Sequence, residues 1–157
     1  MATDKLYAKD NIPDGKGLRI AVVAARFNGG ITESLTAGAM EALQNANTAT
    51  IKLYKVPGCF ELPLIAKKLA GSGKYDAIVA LGAVIRGETP HFDYVAAESA
   101  SGLARASYDT GVPVAFGILT TDTIEQALDR AGGEYGNKGA DAAYTAIETA
   151  LTIKSLG

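Results

Sequence analysis

Cysteine and histidine each occur once in this chain of 157 residues, and tryptophan does not occur at all. A lone cysteine, Cys59, excludes an intrachain disulfide and any cysteine-cluster metal site. No set of His, Cys and Asp has metal-ligand spacing, so neither a metal nor a cofactor is expected. No apolar run approaches the ~20 residues that a membrane-spanning helix needs. A net charge of −2 offers no basic face for nucleic acid and no polybasic patch for a membrane. The first residues, MATDKLYAKDNIPDGKG, are polar and broken by Pro and Gly, which is not a signal-peptide pattern. The expectation is one soluble, cytoplasmic domain over 1–157, with residues 1–17 as an arm of little core content.

What the chain does have is apolar residues, 48% of the total, arranged in an alternating pattern. LRIAVVAARF (18–27), TIKLYKV (50–56), YDAIVALGAVI (75–85) and VPVAFGILTT (112–121) read as strands. Two of them are continuous and rich in β-branched residues, as strands buried on both faces are. Between them lie helical patterns. Thr32 is placed as the cap of the first, with Leu35, Ala39, Ala42, Leu43 and Ala46 facing inward. FELPLIAKKLAG (60–71) tolerates Pro63 only in its first turn. HFDYVAAESASGLARASYDTG (91–111) follows, with Thr89 as cap and Pro90 as first helical residue. Asp122 or Thr123 caps a short helix that turns Ile124, Ala127 and Leu128 inward, and Asn137 caps the last one. Leu6–Ala8 is read as one further short strand. Strand–helix alternation of this kind predicts a three-layer α/β/α sandwich, flavodoxin-like, on a four-stranded parallel sheet.

In an open parallel sheet, ligands bind beyond the carboxyl ends of the strands. The first exit delivers Phe27 and Asn28, the second Cys59, Phe60 and Glu61, and the third runs from Ala83 to His91. His91, the only histidine, falls in the first turn of a helix, where an anion is attracted and a positive imidazolium is disfavoured. It is either a capping or packing residue or a group ready to move a proton. Phe27 and Phe60 are either core residues or faces for a planar heterocycle. Glu61 is either a dipole-favoured acid at a helix start or an acceptor for ligand hydroxyls. Cys59 has no basic neighbour in sequence to activate it. Arg130 and Lys138 form either a solvated helix-end pair or a phosphate contact, but nothing in a single subunit brings them to His91.

Other motifs fail. AGSGKY lacks the leading glycine and the trailing hydroxyl residue of a Walker loop and precedes a strand. GKG at 15–17 also precedes a strand, so it is no dinucleotide turn. The first and third exits lack the acids of a phospho-acceptor receiver, and the first lacks a flavodoxin's phosphate loop.

Taken in order, ARFN (25–28), VPGCFELP (56–63), ALGAVIRGETPHFDYVA (80–96), PVAFGILTTDTIEQALDRAG (113–132) and GNKGADAA (136–143) resemble the lumazine synthases. The resemblance runs from residue 18 to about 155. These enzymes join 5-amino-6-(D-ribitylamino)uracil to 3,4-dihydroxy-2-butanone 4-phosphate, the penultimate step of riboflavin biosynthesis, releasing phosphate and water. By position, the resemblance implies that Phe27 stacks on the pyrimidine and that Cys59, Phe60 and Glu61 line the ribityl pocket. It places Ala83, Val84 and Ile85 at the uracil edge, Glu88, Thr89 and Arg130 on the phosphate, and His91 in proton transfer. Phe116, Arg130 and Lys138 would serve the neighbouring subunit's site in a pentamer. Twelve pentamers form a 60-subunit shell in some members, and the short GGEYGNKG turn and the KLYAK arm at 5–9 suit one, the arm by adding a strand to a neighbour. Riboflavin synthase is then a partner or cargo. Phe60 stands where many members have Trp or Tyr, and Asp141 where many have Glu. The competing reading is a non-catalytic relative, a flavin- or lumazine-binding protein or a shell subunit; the intact His91 and Arg130 favour the enzyme.

Overall fold

The computed structural model describes residues 6–157. Its main sheet has the order β2-β1-β3-β4, all parallel, with β1 at Arg19–Ala25, β2 at Thr50–Val56, β3 at Ala77–Ile85 and β4 at Val114–Thr121. Among the described residues, five helices surround it: α1 (Gly29–Asn45), α2 (Leu62–Ala70, entered through a 3-10 turn at Cys59–Glu61), α3 (His91–Thr110), α4 (Ile124–Arg130) and α5 (Lys138–Ser155). This is the expected flavodoxin-like three-layer sandwich.

The strand sequences explain the layers. Ile20, Val22 and Ala24 of β1 and Ala77, Val79 and Leu81 of β3 pack with α1 and α5 on one face. Ala21, Val23 and Ala25 together with Ile78 and Ala80 pack with α2 and α3 on the other. Successive side chains of a strand point to opposite faces, so a strand covered twice must be apolar at every position. The outer strand β2 is not, and Lys52–Lys55 are exposed. Helix α1 approaches α5 closely, because a side chain at Gly139 would run into the Leu35 carbonyl and one at Gly38 into Asn137.

Several local expectations need correction. Helix α1 starts at Gly29, not at Thr32; its cap position is Asn28, in left-handed geometry (φ 62°), and Thr32 is buried one turn in, with its hydroxyl directed at the Asn28 and Gly29 carbonyls. The cap position of α3 is Pro90, without a side-chain cap bond, so neither Thr89 nor Pro90 sits where a capping pattern puts it. Helix α4 has its capping box at Thr123 and Gln126, but only Ala127 is buried. Ile124 and Leu128 are 56% and 52% exposed because α4 is two turns long and sits at the uncovered β4 side of the sheet. Asn137 caps α5, accepting from the Gly139 and Ala140 amides. The GGEYGNKG turn closes as a small hairpin, β5 (Ala131–Gly133) with β6 (Gly136–Asn137).

Residues 6–8 of the arm form no strand within their own subunit. Lys5 of the KLYAK segment lies outside the described residues, and Leu6–Ala8 is irregular. A strand needs an edge to pair with. Here Tyr7 instead lies on α5, donating to Glu148 Oε2 at 2.6 Å, with its ring 5.3 Å from that of Tyr144.

Candidate active site

In the order β2-β1-β3-β4 the chain leaves β1 for one side and later returns to the other, so a crevice opens between the exits of β1 and β3. A cavity of about 700 Å³ occupies it. That is within the ~300–1,000 Å³ of small-molecule sites. The first exit contributes Phe27 and Asn28, and the second Pro57–Glu61. The third contributes Ala83–Ile85, Gly87 and Thr89, and α3 adds His91, Phe92, Tyr94 and Val95.

The sequence therefore located most of the cavity wall: Phe27, Cys59, Phe60, Glu61, Ala83, Val84, Ile85, Thr89 and His91 all meet there. The two phenylalanines are not core residues, since Phe27 is 73% and Phe60 60% exposed, leaving both rings open to a ligand or a partner. Ala83 and Val84 are buried strand residues that offer the cavity mainly backbone. Glu61 lies in the 3-10 turn beside Gly58, and His91 opens α3 with its side chain exposed. The cavity so combines flat apolar walls with one carboxylate and one imidazole.

The floor is tightly fitted. Cys59 is buried, and a side chain at Gly82 would collide with its Sγ. Burial pushes the Cys59 thiol up to about 11, with Glu61 adding to the rise and a hydrogen bond from the Ala83 backbone opposing it. A thiol held protonated is no nucleophile. The fully buried Ser99 hydroxyl lies within hydrogen-bond distance of the Cys59 carbonyl (3.1 Å) and of the Val95 carbonyl (2.6 Å), joining the second exit to α3. The Asn28 side chain donates to the Ala83 carbonyl at 2.9 Å and joins the first exit to the third.

Between Ile85 and α3 the chain makes an open turn. The Arg86 amide bonds the Thr121 carbonyl at 2.9 Å, but among the described residues the Gly87, Glu88 and Thr89 amides have no backbone acceptor. Free amides just ahead of a 20-residue helix suit an anion.

Four expected site residues lie elsewhere. Glu88 is exposed on the turn and does not line the cavity. Phe116 is on the outer strand β4, 47% exposed. Arg130 ends α4, donating to the Gln126 carbonyl at 3.0 Å with its guanidinium 4.6 Å from the Tyr135 ring centre. Lys138 begins α5 and pairs with Asp141 at 3.5 Å, so the shorter acid at 141 does reach it. Among the described residues, Phe116, Arg130 and Lys138 do not line the cavity that His91 lines. Tyr94 and Val95 were missed, although they stand three and four residues after His91, the spacing that puts them on its face of the helix.

The chain is similar to proteins of one family over most of its length. The family model described as 6,7-dimethyl-8-ribityllumazine synthase matches residues 17–154. A 6,7-dimethyl-8-ribityllumazine synthase of Nitratidesulfovibrio vulgaris (strain DP4) is 54% identical over 145 residues, covering 91% of this chain and 93% of the relative. One from Syntrophus aciditrophicus (strain SB) is 58% identical over 143 residues, covering 90% and 93%. With the match running through all four strand exits and nearly the full length of each chain, this protein belongs to the 6,7-dimethyl-8-ribityllumazine synthase family.

Proposed function

We propose that the crevice between the β1 and β3 exits carries out the reaction of the family, condensing 5-amino-6-(D-ribitylamino)uracil with 3,4-dihydroxy-2-butanone 4-phosphate. The observation that carries this is the convergence of Phe27, Glu61, His91, Gly87 and Thr89 on one cavity, with the Gly87 and Thr89 amides lacking a backbone acceptor. Phe27 stacks on the planar pyrimidine, and the backbone of Ala83–Ile85 meets its polar edge. Glu61 accepts hydrogen bonds from ribityl hydroxyls, while Cys59 and Phe60 shape that pocket. Thr89 and the turn amides, with Glu88 contributing its N–H, hold the phosphate.

The chemistry consists of bond exchanges that each move a proton. The uracil amine adds to the ketone and water leaves, giving a Schiff base. Loss of a proton beside the imine expels phosphate. The resulting enol tautomerises to a carbonyl, which the second nitrogen attacks to close the ring with loss of water. His91 stands next to the phosphate turn, within the cavity, and serves these transfers.

The site needs a neighbour. Two separate apolar surfaces support this: the cavity mouth with Phe27, Phe60 and Tyr94, and the β4–α4 side with Phe116, Ile124 and Leu128. Two different patches on one chain suit a head-to-tail contact, which closes into a ring. The β4–α4 surface of one subunit covers the cavity of the next, bringing Phe116 and Lys138 to its rim and Arg130 to the phosphate. The ring is a pentamer, and the tight β5–β6 hairpin leaves room for twelve of them to pack as a shell, with riboflavin synthase as partner or cargo. Light scattering separates a particle near 60 × 16.2 kDa from one near 5 × 16.2 kDa.

Mixing both substrates with the protein and following lumazine absorbance and phosphate release tests the reading. Equal amounts of lumazine and phosphate are expected, with neither formed when one substrate is omitted. Ligand binding without turnover would identify a non-catalytic member instead.

A further inference from the structure

Arg86 is the first residue beyond β3, and its side chain reaches both the start of α3 and the segment that follows β4. Nε donates to Asp122 Oδ1 at 2.8 Å, just past the end of β4. Nη1 lies 3.3 Å from Asp93 Oδ1, in the first turn of α3. The guanidinium carbon stands 4.4 Å from the centre of the Phe92 ring, itself a wall of the cavity. Its partners are also fixed: the Asp122 amide donates to Gln126 Oε1 at 2.8 Å and the Asp93 amide to the Pro90 carbonyl at 3.0 Å. Arg86 thus spans the turn Gly87–Pro90, binding both its start and its end to the exit of β4.

Two consequences follow from the geometry. The turn carries amides without a backbone acceptor, and the fork of Arg86 fixes its two ends. In addition, Asp93 and Asp122 put two negative charges beside a loop that is to receive a phosphate, and Arg86 is within 4 Å of both. We infer that Arg86 is a positioning residue of the phosphate subsite, holding the Gly87–Pro90 turn in its anion-binding shape and neutralising the two carboxylates beside it. This rests on the proposed reading of the turn as the phosphate site. Because all three side chains are between about half and two-thirds exposed, the cluster adds little to global stability, and its effect belongs in binding.

Calorimetric titration with inorganic phosphate, alongside kinetics with both substrates, tests the inference on the full chain. Arg86→Gln should weaken phosphate binding and raise the KM for the butanone phosphate about tenfold, as loss of a charge-assisted clamp does. The KM for the ribitylaminouracil should stay within about twofold, and Arg86→Gln with Asp93→Asn should recover part of the loss, since one repelling charge is gone. Arg86→Lys, which keeps the charge but not the fork, should fall between the two and serves if the glutamine variant does not fold. Phosphate affinity unchanged in the variants would overturn the role, as would an equal rise in both KM values that Asp93→Asn does not relieve. Phosphate titration needs no turnover: a wild-type chain that binds phosphate but makes no lumazine sinks the catalytic reading, while a wild-type chain that turns over beside an unaffected Arg86→Gln sinks only this one.

Discussion

The side-chain amide of Asn28 donates a 2.9 Å hydrogen bond to the carbonyl of Ala83, 55 residues away, across the crevice where the sheet reverses its strand order. One end of this bond follows the Phe27 ring; the other is backbone that the proposed function puts at the pyrimidine edge. Asn28 also holds left-handed backbone (φ 62°), which Asn and Gly tolerate better than other residues. Asn28→Gly keeps that backbone and loses the bond, so it should cost about 1 kcal/mol. Asn28→Ala should cost roughly 2–3 kcal/mol, because backbone strain is added. Urea unfolding gives both numbers, and equal losses would show that the backbone geometry is unimportant.

Cys59 should be inert. With its thiol raised from 9.0 to about 11 by burial, it should alkylate slowly with iodoacetamide at pH 8 in the folded protein and at the ordinary rate in urea. The folded state favours the neutral thiol, so this contribution to stability is complete below pH 9.0 and is lost as pH rises through about 11. Cys59→Ala should lack that part of the alkaline loss, and its turnover should stay within about threefold of wild type, since a neutral thiol supplies no nucleophile. A variant with no turnover would assign the sulfur a chemical role.

The strands and the walls of the crevice could be read from the sequence because each is a local property. A strand covered on both faces must be apolar throughout, and β1 and β3 show it as unbroken runs. Residues that follow a strand must lie at its carboxyl end, which placed Phe27, Glu61 and His91 without knowledge of strand order. What failed depended on neighbours beyond the segment. Ile124 and Leu128 have helical spacing but no layer above them to face. Leu6–Ala8 has strand-like residues but pairs with no edge of its own subunit. Thr32 and Thr89 are good capping residues, yet the chain enters α1 through left-handed Asn28 and α3 through Pro90. The positions of Arg130, Lys138 and Phe116 relative to His91 could not follow from one chain at all, since the proposed meeting is between two.

Asp76 should set part of the acid response. Burial raises its carboxyl, but hydrogen bonds and charge from Arg19, with Lys154 adding, bring it below the ordinary 3.8. A carboxyl lowered on folding stabilises above its unfolded value, and that stabilisation disappears as pH falls through the lower folded value. Asp76→Asn should therefore be less stable than wild type at pH 7, with the gap closing below about pH 4. A gap independent of pH would mean that the lost interaction is not electrostatic.

His91→Ala should slow turnover by about 10- to 10⁴-fold. The ring should still form, because His91 is exposed at a helix start and supports no core. Arg130→Ala should chiefly raise the KM for the butanone phosphate, by removing a charge-assisted contact of about 1.5–3 kcal/mol. Steady-state kinetics with each substrate varied in turn distinguishes the two defects.

The central claim is that one active site is built from two subunits, with His91 on one and Arg130 on its neighbour. Mixing His91→Ala and Arg130→Ala chains in equal amounts, after dissociation and reassembly, tests it most directly. In a head-to-tail ring about one quarter of the interfaces then join an intact His91 to an intact Arg130. The account predicts recovery toward about a quarter of wild-type turnover, well above either variant alone. If mixing is verified by mass spectrometry and activity stays at the mean of the two variants, His91 and Arg130 do not serve a site shared between subunits.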